Sequence, residues 1–243
     1  MGARFSSSPD LTVGLYTLLI PRRRWAVTYL TTLQTEDGKH RLHRRINNFM
    51  ILMSSLATAV NVTVGNAMPK DNLIGMESQI FNLHLAFFTE QFLPNVINDV
   101  MPRTLEIQIR SGRENQVQKQ NEERGLETKS FDGYTEVFYQ TIAPMFVEFY
   151  EAHKQWLYEN INREPTRWPS ILNFGRTIRN SLSHGNKIWF DRGNVTPVSW
   201  YTIAYGPADN GRQVVQNDLS IGDVIILMFE MNDALDSLTC PIF

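Results

Sequence analysis

The apolar residues of this chain recur at helical spacing over most of its length, and after Gly185 the period changes. That pattern narrows the choice of fold more than any other feature. Ile46, Phe49, Met50, Met53, Leu56, Ala57 and Val60 follow the i, i+3, i+4, i+7 rule and predict a helix over 39–64. Ile74, Glu77, Ile80, Phe81, His84 and Phe88 predict a second helix over 71–90, capped by Asp71, with His84 in the core. Pro94 and Pro102 bracket a short third one. Phe138, Ile142, Met145, Phe146, Phe149, Tyr150, His153 and Leu157 carry the period from Asp132 or Thr135 to about 160, with a kink or a restart at Pro144. Trp168, Ile171, Leu172, Gly175, Ile178 and Leu182 form one stripe over 166–185, with Thr166 or Ser170 as the start and Gly185 as the stop. Ile221, Val224, Ile225, Met228, Met231, Leu235 and Leu238 complete a terminal helix over 219–238.

Between the last two helices the signal is β. Ile188–Phe190, Val198–Tyr205 and Arg212–Val215 read as short strands, and Pro207-Ala208-Asp209-Asn210-Gly211 reads as a turn. The expected fold is therefore mainly α, a helical bundle with a small β-hairpin insert at 186–216 before the last helix. One domain over 1–243 accommodates this. Residues 1–38 form an N-terminal extension in which strands and a short helix both fit, with Arg22, Arg23 and Arg24 in a turn. The polar stretch 108–130 reads as an exposed loop.

Composition limits the function. A hydrophobic content of 42% supports a real core, and a net charge of −2 argues against coating nucleic acid by bulk electrostatics, so any such contact must be a local patch. The single cysteine, Cys240, excludes an internal disulfide framework and a multi-cysteine metal site. No run is long enough to span a membrane, the start lacks a plain secretory signal, and a cytoplasmic location is expected. Nucleotide-binding glycine loops, His-Glu-x-x-His and acidic two-metal clusters are missing, so no cofactor and no metal are expected.

The chemistry concentrates in Arg179-Asn180-Ser181-Leu182-Ser183-His184-Gly185. Asn180 and His184 are four apart and share a helix face, and Arg179 can swing to the same side, off the apolar stripe. A fixed charge, an amide and a group that moves protons near neutral pH suit the handling of a phosphodiester. The same cations also favour a helix C-terminus by opposing its dipole, which needs no function at all.

This motif resembles the Arg-x(4–6)-His signature of the HEPN superfamily, many of whose members are metal-independent ribonucleases. The resemblance is sharpest over about 166–186 and elsewhere extends only to helical pattern and order. It implies an antiparallel HEPN-like bundle, an RNA substrate, a homodimer with the motifs facing each other, and a toxin or antiviral-defence role under an antitoxin or other regulatory protein. In some relatives a tyrosine two residues after the histidine is modified by the antitoxin, whereas here that position is Asn186.

The residues permit cleavage by the RNA's own 2′-hydroxyl. His184 serves as general acid or base, Arg179 as the clamp on the phosphate and transition state, and Asn180 as the orienting amide. Arg176, one turn earlier, is an auxiliary phosphate contact. The densest basic cluster, with Arg41, Arg44 and Arg45, is a further RNA-docking candidate or a plain solvated helix face. One histidine per chain cannot easily be acid and base at once. A dimer supplies the second, or else His43 or His40 does. Trp189, Trp200, Tyr201 and Tyr205 are expected to pack within the hairpin rather than to stack bases. Two alternatives stand beside catalysis: a catalytically silent module that binds RNA, a nucleotide or a partner, and a helical interaction protein with no nucleic-acid role.

Overall fold

The computed structural model describes residues 29–63, 73–81, 83–88, 102–111, 135–190 and 196–242. Within them lie β1 (Tyr29–Glu36), α1 (His43–Thr63), β2 (Leu73–Ser78), β3 (Leu83–Phe88), β4 (Thr104–Ser111), α2 (Thr135–Asn160), α3 (Ser170–Ser183), β5 (Val198–Trp200), β6 (Ile203–Tyr205) and α4 (Ile221–Ser237). The first four strands form one antiparallel sheet in the order β1-β4-β3-β2, and β5 pairs with β6 in a second. This corrects the mainly-α expectation. Among the described residues there are four helices and six strands, a mixed α/β architecture and not a helical bundle bearing one hairpin.

The correction has local causes. Residues 83–88 are Leu-His-Leu-Ala-Phe-Phe, an apolar run short enough to be strand or buried helix on periodicity alone. Leu85, Ala86 and Phe87 are all buried, as an inner strand requires. The helix expected over 71–90 is instead the β2–β3 hairpin, and the proposed cap, Asp71, lies outside the described residues. In β4, Leu105, Ile107 and Ile109 are buried while Thr104 and Glu106 are exposed. Residues 108–111 therefore belong to a strand rather than to the expected loop, whose remainder lies outside the described residues. Residues 29–36 of the N-terminal extension form an edge strand paired with β4. The short helix before Pro102, the Val13–Ile20 stretch and Arg22 to Arg24 fall outside the described residues.

The other helices form where the apolar stripes place them. α2 runs unbroken through Pro144. In the insert, the segment read as one strand over 198–205 folds back at Tyr201–Thr202, where Tyr201 has φ +48. Residues 187 and 213 meet in a single bridge.

α4 is the central element. It packs against β2 on one side and against α2 and α3 on the other. At its start Gly222 faces the backbone of β2, where a Cβ would lie 2.4 Å from Glu77 O. Only glycine permits that approach. Farther along, Gly175 of α3 admits Met231, where a Cβ would sit 2.5 Å from Sδ.

Two buried histidines make the fold acid-sensitive. His40 and His153 are 4% and 2% exposed, and burial lowers the pKa of each to about 4. Between about pH 6.5 and 4 the unfolded chain binds more protons than the folded one, so stability falls as pH falls through that window. The melting temperature is expected to drop across it, and less so in His153→Gln. A melting temperature flat from pH 7 to 4 would contradict this account.

Candidate functional site

The motif helix α3 starts after Pro169, with no side-chain cap from Thr166 or Ser170. Leu172, Phe174, Gly175, Ile178 and Leu182 bury one face. His184 is the C-cap, and the next two residues take positive φ, +70 at Gly185 and +66 at Asn186. The Asn186 N–H donates to Ser181 O at 2.9 Å, the long bond of a Schellman stop. Gly185 thus ends the helix as its sequence predicts.

Asn186 is a structural joint. Its side chain donates to Val215 O at 2.7 Å and accepts from Val215 N at 2.8 Å, and its carbonyl accepts from Val214 N at 3.0 Å. The position is 5% exposed.

Arg179 and Asn180 lie near the end of α3, and His184 caps it, its N–H donating to Asn180 O at 3.1 Å. Arg179 Nη1 donates to Asn180 Oδ1 at 3.1 Å. Arg179 Nη2 lies 2.6 Å from Glu151 Oε1 of α2, a half-exposed carboxylate that also pairs with Lys154 at 3.3 Å. His184 is exposed, and its ring centroid is 6.3 Å from that of Trp189. Arg176 is half-buried and has no ion pair among the described residues, and its Nε is buried without a hydrogen-bond partner. It sits close enough to act on Tyr150, whose hydroxyl is likewise buried and unpartnered and whose pKa burial pushes up. Glu151 and Tyr150 escaped the sequence reading because they lie on another helix, and no spacing rule links residues 28 positions apart.

The basic cluster divides. Arg41 is buried, contrary to its expected role on a docking surface. It donates to Asn232 Oδ1 at 3.2 Å and Pro241 O at 3.3 Å, and also engages Asp236 and the Cys240 carbonyl. It clamps the C-terminal segment. Arg45 pairs with Glu148 Oε1 at 3.0 Å and caps Arg41 O at 3.0 Å. Arg44 is exposed, with no partner among the described residues. Arg44 and Arg45 line an open cavity of about 380 Å³ with Asp37, Asn48 and Ile242. The two basic loci are neighbours, because Glu148 and Glu151, which hold Arg45 and Arg179, are one turn apart on one face of α2.

His43 and His40 are not available as a second acid–base group. His43 is 1% exposed and bonded to Thr35 Oγ1 at 2.9 Å and Pro102 O at 2.7 Å. His40 is buried beside Asn232 and Phe229. Trp200 and Tyr205 pack in the hairpin as expected, but Trp189 and Tyr201 are 56% and 65% exposed. Among the described residues, no three His, Cys, Asp or Glu side chains group as metal ligands, and no helix is long and apolar enough to cross a membrane. Compared with known protein families, curated proteins and solved structures, the chain matches none.

Proposed function

We propose that the protein is an endoribonuclease that cuts RNA by attack of its own 2′-hydroxyl, without a metal ion. One observation carries this reading: Arg179 and Asn180 are bonded to each other near the end of one helix, and the exposed His184 caps that same end. A base takes the 2′-hydroxyl proton, the freed oxygen attacks phosphorus, and the leaving 5′-oxygen takes a proton from an acid. His184 performs proton transfer. Arg179 meets two phosphate oxygens through its planar fork and stabilises the charge that builds on the phosphorane. Asn180 holds the guanidinium at that end, and Arg176 adds positive charge one turn away.

His184 supplies one proton-transfer group per chain, and His40 and His43 are buried away from it. A two-fold dimer that brings two such ends into one cleft completes the acid–base pair. The resemblance to HEPN proteins adds the expectation of a toxin or defence role, with an antitoxin or other regulatory partner. Among the described residues the sheet β1-β4-β3-β2 is what a simple bundle of that kind would not include.

A second reading has its own support. Glu151 neutralises Arg179 at 2.6 Å, which suits a catalytically silent RNA-binding module in which the clamp stays closed. Purified protein is expected to cut mixed RNA equally well in excess chelator and in magnesium. Cleavage that disappears in chelator and returns with magnesium would refute the proposed chemistry. RNA binding with no cleavage would favour the silent module.

A further inference from the structure

The stretch that leaves the motif is rigid and alternates cleanly. Asn186, Ile188 and Phe190 are buried, while Lys187 and Trp189 are exposed. Ile188 is held on both sides, its N–H donating to Arg212 O at 2.8 Å and its carbonyl accepting from Gly211 N at 2.9 Å. Phe190 N donates to Asn210 Oδ1 at 2.7 Å, and Asn210 Nδ2 returns a bond to Phe190 O at 3.3 Å. In extended chain, residues two apart project to the same side, so Lys187 and Trp189 share one outer surface roughly 7 Å apart. That surface adjoins the motif, since the Trp189 and His184 ring centroids are 6.3 Å apart.

We propose that Trp189 and Lys187 form a nucleobase subsite, in which an unpaired base stacks on the Trp189 indole and Lys187 holds an adjoining phosphate. The proposal rests on the ribonuclease reading for its substrate, and it adds single-stranded RNA as the preferred form. The indole is 56% exposed, and the backbone on either side of it is held by four hydrogen bonds, so it presents ring surface to solvent from a held stretch of chain. Any base offers it a π-face, so the subsite selects unstacked nucleotides over duplex without reading sequence. The exposed Lys187 on the same surface supplies a positive charge for a phosphate. A base seated there brings its own sugar and phosphate to His184.

Two uncleavable probes test this, an oligodeoxythymidylate and its abasic counterpart, which keeps the phosphates and lacks the bases. The wild type is expected to bind the base-bearing strand roughly 5- to 150-fold more tightly than the abasic one. Trp189→Ala is expected to lose that preference, and Trp189→Phe to keep most of it. Lys187→Ala should weaken both strands alike and lower the salt dependence of binding by about one ion. Equal binding of the two strands by the wild type, or an undiminished preference in Trp189→Ala, overturns the subsite. Binding of neither strand also overturns it. Because DNA lacks the attacking hydroxyl, the outcomes separate. A wild type that shows no base preference but still cuts RNA sinks the subsite alone, and a wild type that shows the preference but does not cut RNA sinks the catalytic reading alone.

Discussion

Replacing His184 with alanine is expected to slow RNA cleavage by roughly 10²- to 10⁴-fold while leaving the fold intact, because a positioned acid or base is worth about that much. The ring is exposed at a helix C-cap, so its removal opens no core cavity, and stability should stay within about 0.5 kcal/mol of the wild type. Arg179→Ala is expected to cost a comparable factor, on the order of 10² to 10³, as loss of one preorganised charge donor. The side chains of its ion pair with Glu151 are 25% and 37% exposed, so solvent screens it and the stability change should be under about 1 kcal/mol. Arg179→Lys keeps the charge without the fork and should recover only part of the activity. Steady-state cleavage and thermal melts, run on the same preparations, decide the matter. Full activity in either alanine variant ends the assignment. Collapse of the fold would mean that these residues serve the helix end and nothing more.

The largest expected stability loss lies elsewhere, at Asp223. Its carboxylate is fully buried and accepts from Ser78 Oγ at 2.5 Å, Gln79 N at 3.1 Å and Ile80 N at 3.3 Å. It also accepts from Ser220 N at 2.8 Å and Ser220 Oγ at 2.7 Å, while Ser220 Oγ in turn caps Asp223 N. One side chain thus starts α4 and fixes the turn between β2 and β3. Asp223→Ala takes the acceptor from the buried Ser78 hydroxyl and from three part-buried backbone N–H groups, at a cost of roughly 2–4 kcal/mol. Asp223→Asn offers one acceptor oxygen instead of two and should fall between. Denaturant midpoints measure both. A change below about 1 kcal/mol in Asp223→Ala would show that the hairpin and α4 are held by packing alone.

Asp223 also explains why the sheet was harder to read than the helices. The residues that close the β2–β3 turn are local, but the group that satisfies them comes from more than 140 positions away. No window of sequence contains that bond, and without it Leu83–Phe88 is an apolar run of either kind. β4 is different. The alternation Leu105, Ile107, Ile109 was present in the sequence, but its last residue fell within the polar stretch 108–130 that reads as a loop. At the site, α3, its stop at Gly185 and the approach of Asn180 to Arg179 follow from spacing within one helix. Glu151 does not, because helix packing brings it there. Arg41 shows the limit of reading charge as surface: an arginine with four acceptors folded around it is core, and its sequence neighbours Arg44 and Arg45 give no hint of that.

The chemistry of the cut ends tests the central claim most directly. RNA digested by the purified protein in excess chelator should carry 2′,3′-cyclic phosphate on one fragment and a 5′-hydroxyl on the other, as mass spectrometry of the fragments would read. A single 2′-deoxy substitution at the scissile nucleotide should block that cut. Fragments bearing 5′-phosphate, or cleavage undiminished at the 2′-deoxy position, would contradict attack by the 2′-hydroxyl and with it the roles given to His184 and Arg179.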